Sequence, residues 1–78
     1  NLEGVNLRNA NLKNAKLTRV DLTGADLKNS DLNGTDLSGA YLKNTDLTEA
    51  NMKNIRNLDS AIKCKTIMPW GEDNSGCK

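Results

Sequence analysis

Cys64 and Cys77 carry the most reactive side chains of this chain, and both lie near its C-terminal end. Between them, Pro69, Gly71 and the polar residues 72–76 favour a chain reversal that brings the two thiols together. A disulfide that closes a loop of about 14 residues would stabilise the fold by roughly 3 kcal/mol. The alternatives are two free thiols, a regulatory redox pair, or half of a zinc site shared between molecules, since the chain contains no histidine.

Carboxylates recur at multiples of five residues and have the chemistry of a cation site or an acid–base pair. Asp26 and Asp46 share one phase, and Asp31 lies in the next. Asp and Asn also stabilise turns through side-chain to backbone hydrogen bonds. We interpret them as turn residues, because no histidine, no nucleophile with a base in a recognisable motif and no phosphate-binding glycine loop accompanies them. The sequence therefore predicts no catalytic residue, no cofactor-binding residue, no metal ligand and no cofactor.

These residues belong to an apolar repeat with a period of five. From the second apolar centre onward, a small or β-branched residue stands two positions before each centre, and Asn or Asp stands directly before every centre except where Lys16 and Tyr41 take that position. The eleven centres are Leu2, Leu7, Leu12, Leu17, Leu22, Leu27, Leu32, Leu37, Leu42, Leu47 and Met52.

A period of five fits neither a helix nor a flat strand. On an α-helix the leucines would spiral around the axis, and on a strand successive leucines would point to opposite faces. If each unit forms one side of a coil and the chain bends by about a right angle between units, four units close a turn of about 20 residues and every leucine points to the axis. We therefore expect a four-sided solenoid with a leucine core.

Composition limits the functions that such a solenoid can have. The chain has 78 residues, a net charge of +1, 36% hydrophobic residues and no Phe. Interspersed charges argue against a nucleic-acid partner, and no run approaches the roughly 20 apolar residues of a transmembrane helix. We expect neither nucleic-acid binding nor membrane insertion.

The repeats from residue 1 to about residue 55 resemble the pentapeptide-repeat family. This resemblance implies an all-β fold, a right-handed quadrilateral β-helix of about three coils. The tail, with Cys64–Gly71 followed by Asn74–Cys77, looks like the C-terminal end of family members from cyanobacteria and from the chloroplast thylakoid lumen. A structural disulfide agrees with that resemblance, because disulfides persist in oxidising compartments such as the thylakoid lumen or periplasm. Cytoplasm is the alternative location.

The five-residue phase breaks after Ile55, which divides the chain into a β-helix at residues 1–57 and a C-terminal cap at residues 58–78. The cap would cover the open end of the stack and limit association between exposed backbone edges. We expect one helical turn around residues 59–63. Trp70 is the one large aromatic of the cap, and we expect it to plug the end of the stack, with an interaction anchor as the alternative.

Because the inward positions and the turn positions build the coil, any functional residues are expected among the outward positions. Arg8 stacks with Lys28, and Lys13 with Lys53, so two adjoining sides are expected to be modestly basic. These lysines and the arginine can be interpreted simply as a solvated surface. The functional interpretation is a docking patch for an acidic partner, with Trp70 as an anchor. The sequence favours a non-catalytic scaffold or protein-interaction module whose protein partner is unidentified.

Other functions and partners follow from less specific features. A DNA mimic that binds topoisomerase would need a long acidic surface, which this charge balance disfavours, and a redox-sensing module would use the cysteine pair. Leu2, Val5 and Leu7 have no visible cap, so either a longer parent chain continues there or two copies pair end to end through the N-terminal coil.

Overall fold

The computed structural model describes residues 1–77 and shows a stack of four-sided coils with extents of 31 × 25 × 20 Å. Parallel bridges join residues that are 20 apart, such as Asn6 with Asp26 and Asp26 with Asp46. Backbone hydrogen bonds run between coils, from Leu7 N to Asp26 O at 2.7 Å and from Asp26 N to Val5 O at 2.9 Å. The four-sided coil predicted from the five-residue period is confirmed. Within residues 1–77, no helix has the length and apolar character needed to cross a bilayer.

Each side of a coil is one repeat unit, and we number the sides 1 to 4 by their first centres, Leu2, Leu7, Leu12 and Leu17. The second side comprises residues 5–9, 25–29 and 45–49. The third side comprises residues 10–14, 30–34 and 50–54.

The central leucines form the core. Those with a coil on each side are at most 1% exposed: Leu22, Leu27, Leu32, Leu37, Leu42 and Leu47. The first four centres and Met52 lie in end coils and are half-buried against this cluster. Full burial of a leucine contributes about 1.5–3 kcal/mol, so the middle of the stack supplies most of the apolar stabilisation.

A β-turn joins one side to the next. The carbonyl of Leu7 accepts a hydrogen bond from Ala10 N at 3.1 Å, and the residue at the third turn position, Asn9, has a φ of 62°. This is the pattern of a type II turn, which favours Gly or Asn at that position. Arg19 and Glu49 adopt the same left-handed φ, at a cost of about 1 kcal/mol each.

Hydroxyl groups occupy several of the small inward positions and bond to the coil above. Thr45 Oγ1 donates to Leu22 O at 2.7 Å, and Thr35 Oγ1 donates to Leu12 O at 2.6 Å. Ser30 is the exception, because its buried Oγ has no hydrogen-bond partner among residues 1–77. Its column is otherwise filled by Ala10 and Ala50. The Ser30 hydroxyl is therefore a desolvated group without compensation.

Replacing Ser30 by alanine is expected to raise the free energy of unfolding by about 1 kcal/mol, because removal of an unsatisfied buried hydroxyl ends its desolvation cost. Thr45→Val is the matched control and should lower it by about 1 kcal/mol, because it removes a satisfied bond. Urea denaturation followed by far-UV circular dichroism measures both. Equal destabilisation by the two substitutions would contradict this assignment.

The hydrogen-bonded coil runs on beyond residue 57, where the five-residue period ends. Leu42 N donates to Ile62 O at 2.8 Å and Leu47 N donates to Ile67 O at 2.7 Å. The bridge partners are now 21 apart, as for Tyr41 with Ile62. One residue has been inserted, and Asn57 accommodates it with a φ of 60°.

Three short elements follow the insertion. A 3-10 helix spans Leu58–Ser60, so the helical turn expected at residues 59–63 is present but begins one residue earlier and ends three residues earlier. Strand β1 spans Thr66–Met68 and strand β2 spans Gly71–Asp73, and the two pair antiparallel.

The insertion is compensated by side chains. Ser60 Oγ accepts the hydrogen bond from Gly39 N at 3.1 Å, replacing the carbonyl that the shifted backbone no longer presents. Asn57 Nδ2 donates to Asp36 Oδ1 at 2.9 Å. The fourth side therefore keeps its connection to the coil above despite the extra residue.

The expectation that Trp70 plugs the stack is wrong, because its side chain is 66% exposed. Met68 is 2% exposed and takes the inward position beneath Leu47 instead. The shift of one residue explains this: with partners 21 apart, Met68 falls in the leucine column and Trp70 falls two positions later, at an outward corner beneath Glu49.

Candidate functional site

The two cysteines are joined in a disulfide that fixes the tail beneath the last coil. The Cα atoms of Cys64 and Cys77 are 4.9 Å apart, with Cys64 buried and Cys77 exposed. Beside the bridge, Gly76 N donates to Lys63 O at 2.6 Å. A Cβ on Gly76 would lie 2.9 Å from Lys63 N, so only glycine allows this close approach. The bridge therefore closes the end of the first side.

Lys63 is a buried residue that the sequence analysis did not single out. It is 7% exposed, occupies the inward column of Leu2, Leu22 and Leu42, and donates from Nζ to Leu58 O at 2.8 Å. The signal was available in the sequence, since counting 21 residues from Leu42 instead of 20 reaches Lys63. Its bond to a carbonyl offsets part of the cost of burying an ammonium group.

Reduction of the disulfide is expected to lower the free energy of unfolding by about 3 kcal/mol, because the unfolded chain loses a loop constraint. The measurement is urea denaturation with and without a phosphine reductant. A Cys64→Ser/Cys77→Ser variant should match the reduced wild type and be insensitive to the reductant. A reduced chain as stable as the oxidised one would contradict a structural role for the bridge.

The Asp and Asn residues before each centre cap the turns. Asp21 Oδ1 accepts from Thr23 N and Thr23 Oγ1, and Asp46 Oδ1 accepts from Thr48 N and Thr48 Oγ1. The hydroxyl bonds from these threonines hold the pKa of both carboxyls below their usual value. Residues 1–77 contain no group of three or more Asp, Glu, Cys or His side chains arranged to hold a metal.

Carboxylates also pair with the cations of the second side. Arg8 Nε donates to Asp26 Oδ2 at 2.5 Å, and Lys28 Nζ lies 3.5 Å from Asp46 Oδ2 and 3.9 Å from Asp26 Oδ2. The hydrogen bond from Arg8 is the main reason that the pKa of Asp26 is lowered. The predicted column of Arg8 over Lys28 is therefore flanked by two carboxylates, and this side is less basic than the sequence analysis expected.

The third side keeps more of its positive charge. Lys13 Nζ lies 4.0 Å from Asp31 Oδ2 in the next coil. Lys53 is exposed and has no carboxylate within 4.0 Å among residues 1–77. Asn33 separates the two lysines, as the sequence analysis expected. Trp70 lies at the corner that leads from the second side to the third.

The free energy of unfolding is expected to fall as the pH drops below the ordinary Asp pKa of about 4. The lowered pKa of Asp26 means that its carboxylate stabilises the fold above that value and that this stabilisation is lost as the pH falls through the folded-state pKa. Asp26→Asn keeps an oxygen for Lys28 N, as Asn6 does for Arg8 N. Urea denaturation across this pH range should show a shallower acid dependence for Asp26→Asn. Identical slopes would show that Asp26 does not contribute.

Residues 1–77 enclose no pocket. The positions that can meet a partner are therefore the outward side chains, the cap with Trp70, and the exposed backbone at the ends of the stack.

The family model described as pentapeptide repeats matches residues 1–34 and 25–56, with eight copies. The chain belongs to the pentapeptide-repeat family, and its stack is the right-handed quadrilateral β-helix of that family. No curated protein matches the sequence.

Two solved structures are similar to this chain. The pentapeptide repeat protein Rfr23 from the cyanobacterium Cyanothece 51142 is 34% identical, with a TM-score of 0.72, over 74% of this chain and 39% of Rfr23. HetL from the cyanobacterium Nostoc sp. strain PCC 7120, a pentapeptide repeat protein involved in heterocyst differentiation regulation, is 31% identical, with a TM-score of 0.61, over 90% of this chain and 35% of HetL. The chain thus spans less than two fifths of the length of either relative.

Proposed function

We propose that this chain is a non-catalytic protein-interaction module that docks an acidic protein partner on its third side. The observation that carries the proposal is that this side adjoins the corner where Trp70 is exposed and bears Lys53, which has no carboxylate within 4.0 Å among residues 1–77. Lys16 and Lys43, on other sides, also have none within 4.0 Å among those residues. A cation without a local counter-ion attracts acidic surfaces and speeds their association. Trp70, exposed at the adjoining corner, is the anchor that would contribute apolar contact area.

Two further observations support a module of this kind. The outward side chains stand on a backbone fixed by bonds between coils, so they present a rigid surface at little entropic cost. HetL, a relative of this chain, is described as taking part in regulation, which is compatible with a role through binding.

The proposed location is an oxidising compartment, the thylakoid lumen or the periplasm of a photosynthetic organism. The disulfide supports it, because such bonds persist where thiols are not kept reduced. The cyanobacterial origin of both solved relatives is compatible with it.

A redox-sensing module is the second candidate function. The bridge joins a buried cysteine of the last coil to an exposed cysteine of the tail, so its reduction would release the tail from the end of the stack. A partner that binds the oxidised chain but not the reduced one would favour it. Topoisomerase binding through DNA mimicry remains disfavoured, since the net charge is +1 and the third side is basic.

End-to-end pairing of two copies through the first coil stays a prediction. Leu2, Leu7, Leu12 and Leu17 are half-buried there, whereas the leucines of the middle coil are enclosed.

Binding is tested by capture from a lumenal or periplasmic extract with immobilised wild-type chain. A specific partner should be lost from the Lys13→Glu/Lys53→Glu variant and weakened by Trp70→Ala, since these change the surface but leave the core intact. The matched control is Lys16→Glu/Lys43→Glu, which makes the same charge change on other sides.

Retention of the partner by Lys13→Glu/Lys53→Glu would overturn the assignment to the third side. Turnover of a substrate by the purified chain would overturn the non-catalytic role.

A further inference from the structure

At the C-terminal end of the stack, two of the four sides are covered and one ends in an irregular segment. On the first side, the tail lies beneath the last segment, with Gly76 N donating to Lys63 O at 2.6 Å and Lys65 N donating to Asn74 Oδ1 at 2.7 Å. On the second side, strand β1 is paired with β2. The fourth side ends in the 3-10 helix, whose hydrogen bonds are local.

The third side is different, because its last segment, residues 50–54, keeps the regular repeat and has no segment of residues 1–77 beneath it. A coil that continued with the 21-residue spacing would place residues 71–75 there. Instead the chain turns back at Pro69 and Trp70, and Gly71 pairs with Met68. The last segment of the third side is thus left as a parallel sheet edge.

The backbone groups that this edge presents can be identified from the hydrogen bonds that the coil above makes at the same positions. There, Leu32 N donates to Asn51 O at 2.8 Å and Gly34 N donates to Lys53 O at 3.0 Å. The corresponding donors of the last segment are Met52 N and Asn54 N, and neither has an acceptor among residues 1–77.

One acceptor completes the edge. Asn51 N donates to Ser30 O at 2.9 Å, and the corresponding carbonyl one coil further on, Ala50 O, receives no hydrogen bond from residues 1–77. The edge therefore offers two donors and one acceptor at the spacing that a parallel strand requires, and exposed edges of this kind accept added strands.

The side chains beside the edge specify the strand that would fit. Met52 is half-buried and occupies the leucine column, so the added strand needs an apolar residue beneath it. On the same side, Lys13 reaches Asp31 of the next coil, and Asp31 directly precedes the centre Leu32. By the same geometry, Lys53 would reach an acidic residue that directly precedes the apolar residue of an added strand.

We propose that residues 50–54 bind an extended segment of a partner protein by parallel β-strand addition, and that this segment carries a small, an acidic and an apolar residue in that order. The proposal rests on the proposed interaction role and assigns the partner's recognition sequence. Three backbone hydrogen bonds would set the register, and the pair between Lys53 and the acidic residue would supply specificity.

The test uses the oxidised full chain and a synthetic peptide, acetyl-SGADLTGS-amide, with amide hydrogen exchange followed by NMR. In the chain alone, the amides of Met52 and Asn54 should exchange rapidly, whereas those of Leu32 and Gly34, one coil above, should be protected. At saturating peptide, Met52 and Asn54 should slow by about tenfold or more, since each gains a hydrogen-bond acceptor.

Matched controls separate strand addition from unspecific attraction. Lys53→Glu should abolish protection by the acidic peptide and allow protection by acetyl-SGAKLTGS-amide. Lys43→Glu makes the same charge change at the same repeat position on the first side and should have no effect. A peptide that is N-methylated at the acidic residue should fail, because it lacks the N–H that Ala50 O would accept.

Each other outcome overturns the proposal. Protection of Met52 and Asn54 in the chain alone at every concentration would mean that the chain covers its own edge, and protection only at high concentration would mean that a second copy does. Peptide binding that is unaffected by Lys53→Glu or by N-methylation would rule out the register proposed. Loss of the captured partner in Lys13→Glu/Lys53→Glu, without peptide protection of the edge, would leave the proposed function standing and this proposal wrong.

Discussion

The register of the hydrogen bonds between coils is the constraint on which the rest of this structure depends. Bonds such as Leu7 N to Asp26 O and Asp26 N to Val5 O are repeated around the stack, and they fix each residue above its counterpart 20 positions further on. Once that register is fixed, each side chain is committed to the axis or to the surface. The leucine core, the turn-capping carboxylates and the pairs between lysines and aspartates of successive coils all follow from it.

Much of this architecture could be predicted because the period is local. Leu22 and Leu27 are inward for a reason visible in ten residues of sequence, and the structure encloses both. The cap could not be predicted in the same way, because the backbone can take up the extra residue at Asn57 only through contacts with the previous coil. Its extra residue is tolerated through Ser60 Oγ and the Asn57 side chain, and this shift decides that Met68 rather than Trp70 is buried.

The surface charges, too, could be predicted from the sequence only in part. Counting by 20 predicts which cations share a column, namely Arg8 with Lys28 and Lys13 with Lys53. It does not predict which carboxylates in the neighbouring column these cations pair with. The reach of a lysine to the aspartate of the next coil, as in Lys28 and Asp46, runs diagonally between columns. Such diagonal pairs lower the positive charge of the second side, whereas Lys53, at the end of its column, has no such partner among residues 1–77.

The cap must cover backbone hydrogen-bonding groups that, within the regular repeat, are paired with the next coil. A stack that stops abruptly leaves backbone donors and acceptors on all four sides, which favours uncontrolled pairing with other chains. In this chain a disulfide-linked tail covers one side and a hairpin covers another, while the fourth side ends in a 3-10 helix instead of a regular segment. Turning back at Pro69 leaves residues 50–54 without a covering segment among residues 1–77. This uncovered segment is short, and it is the one for which we propose strand addition.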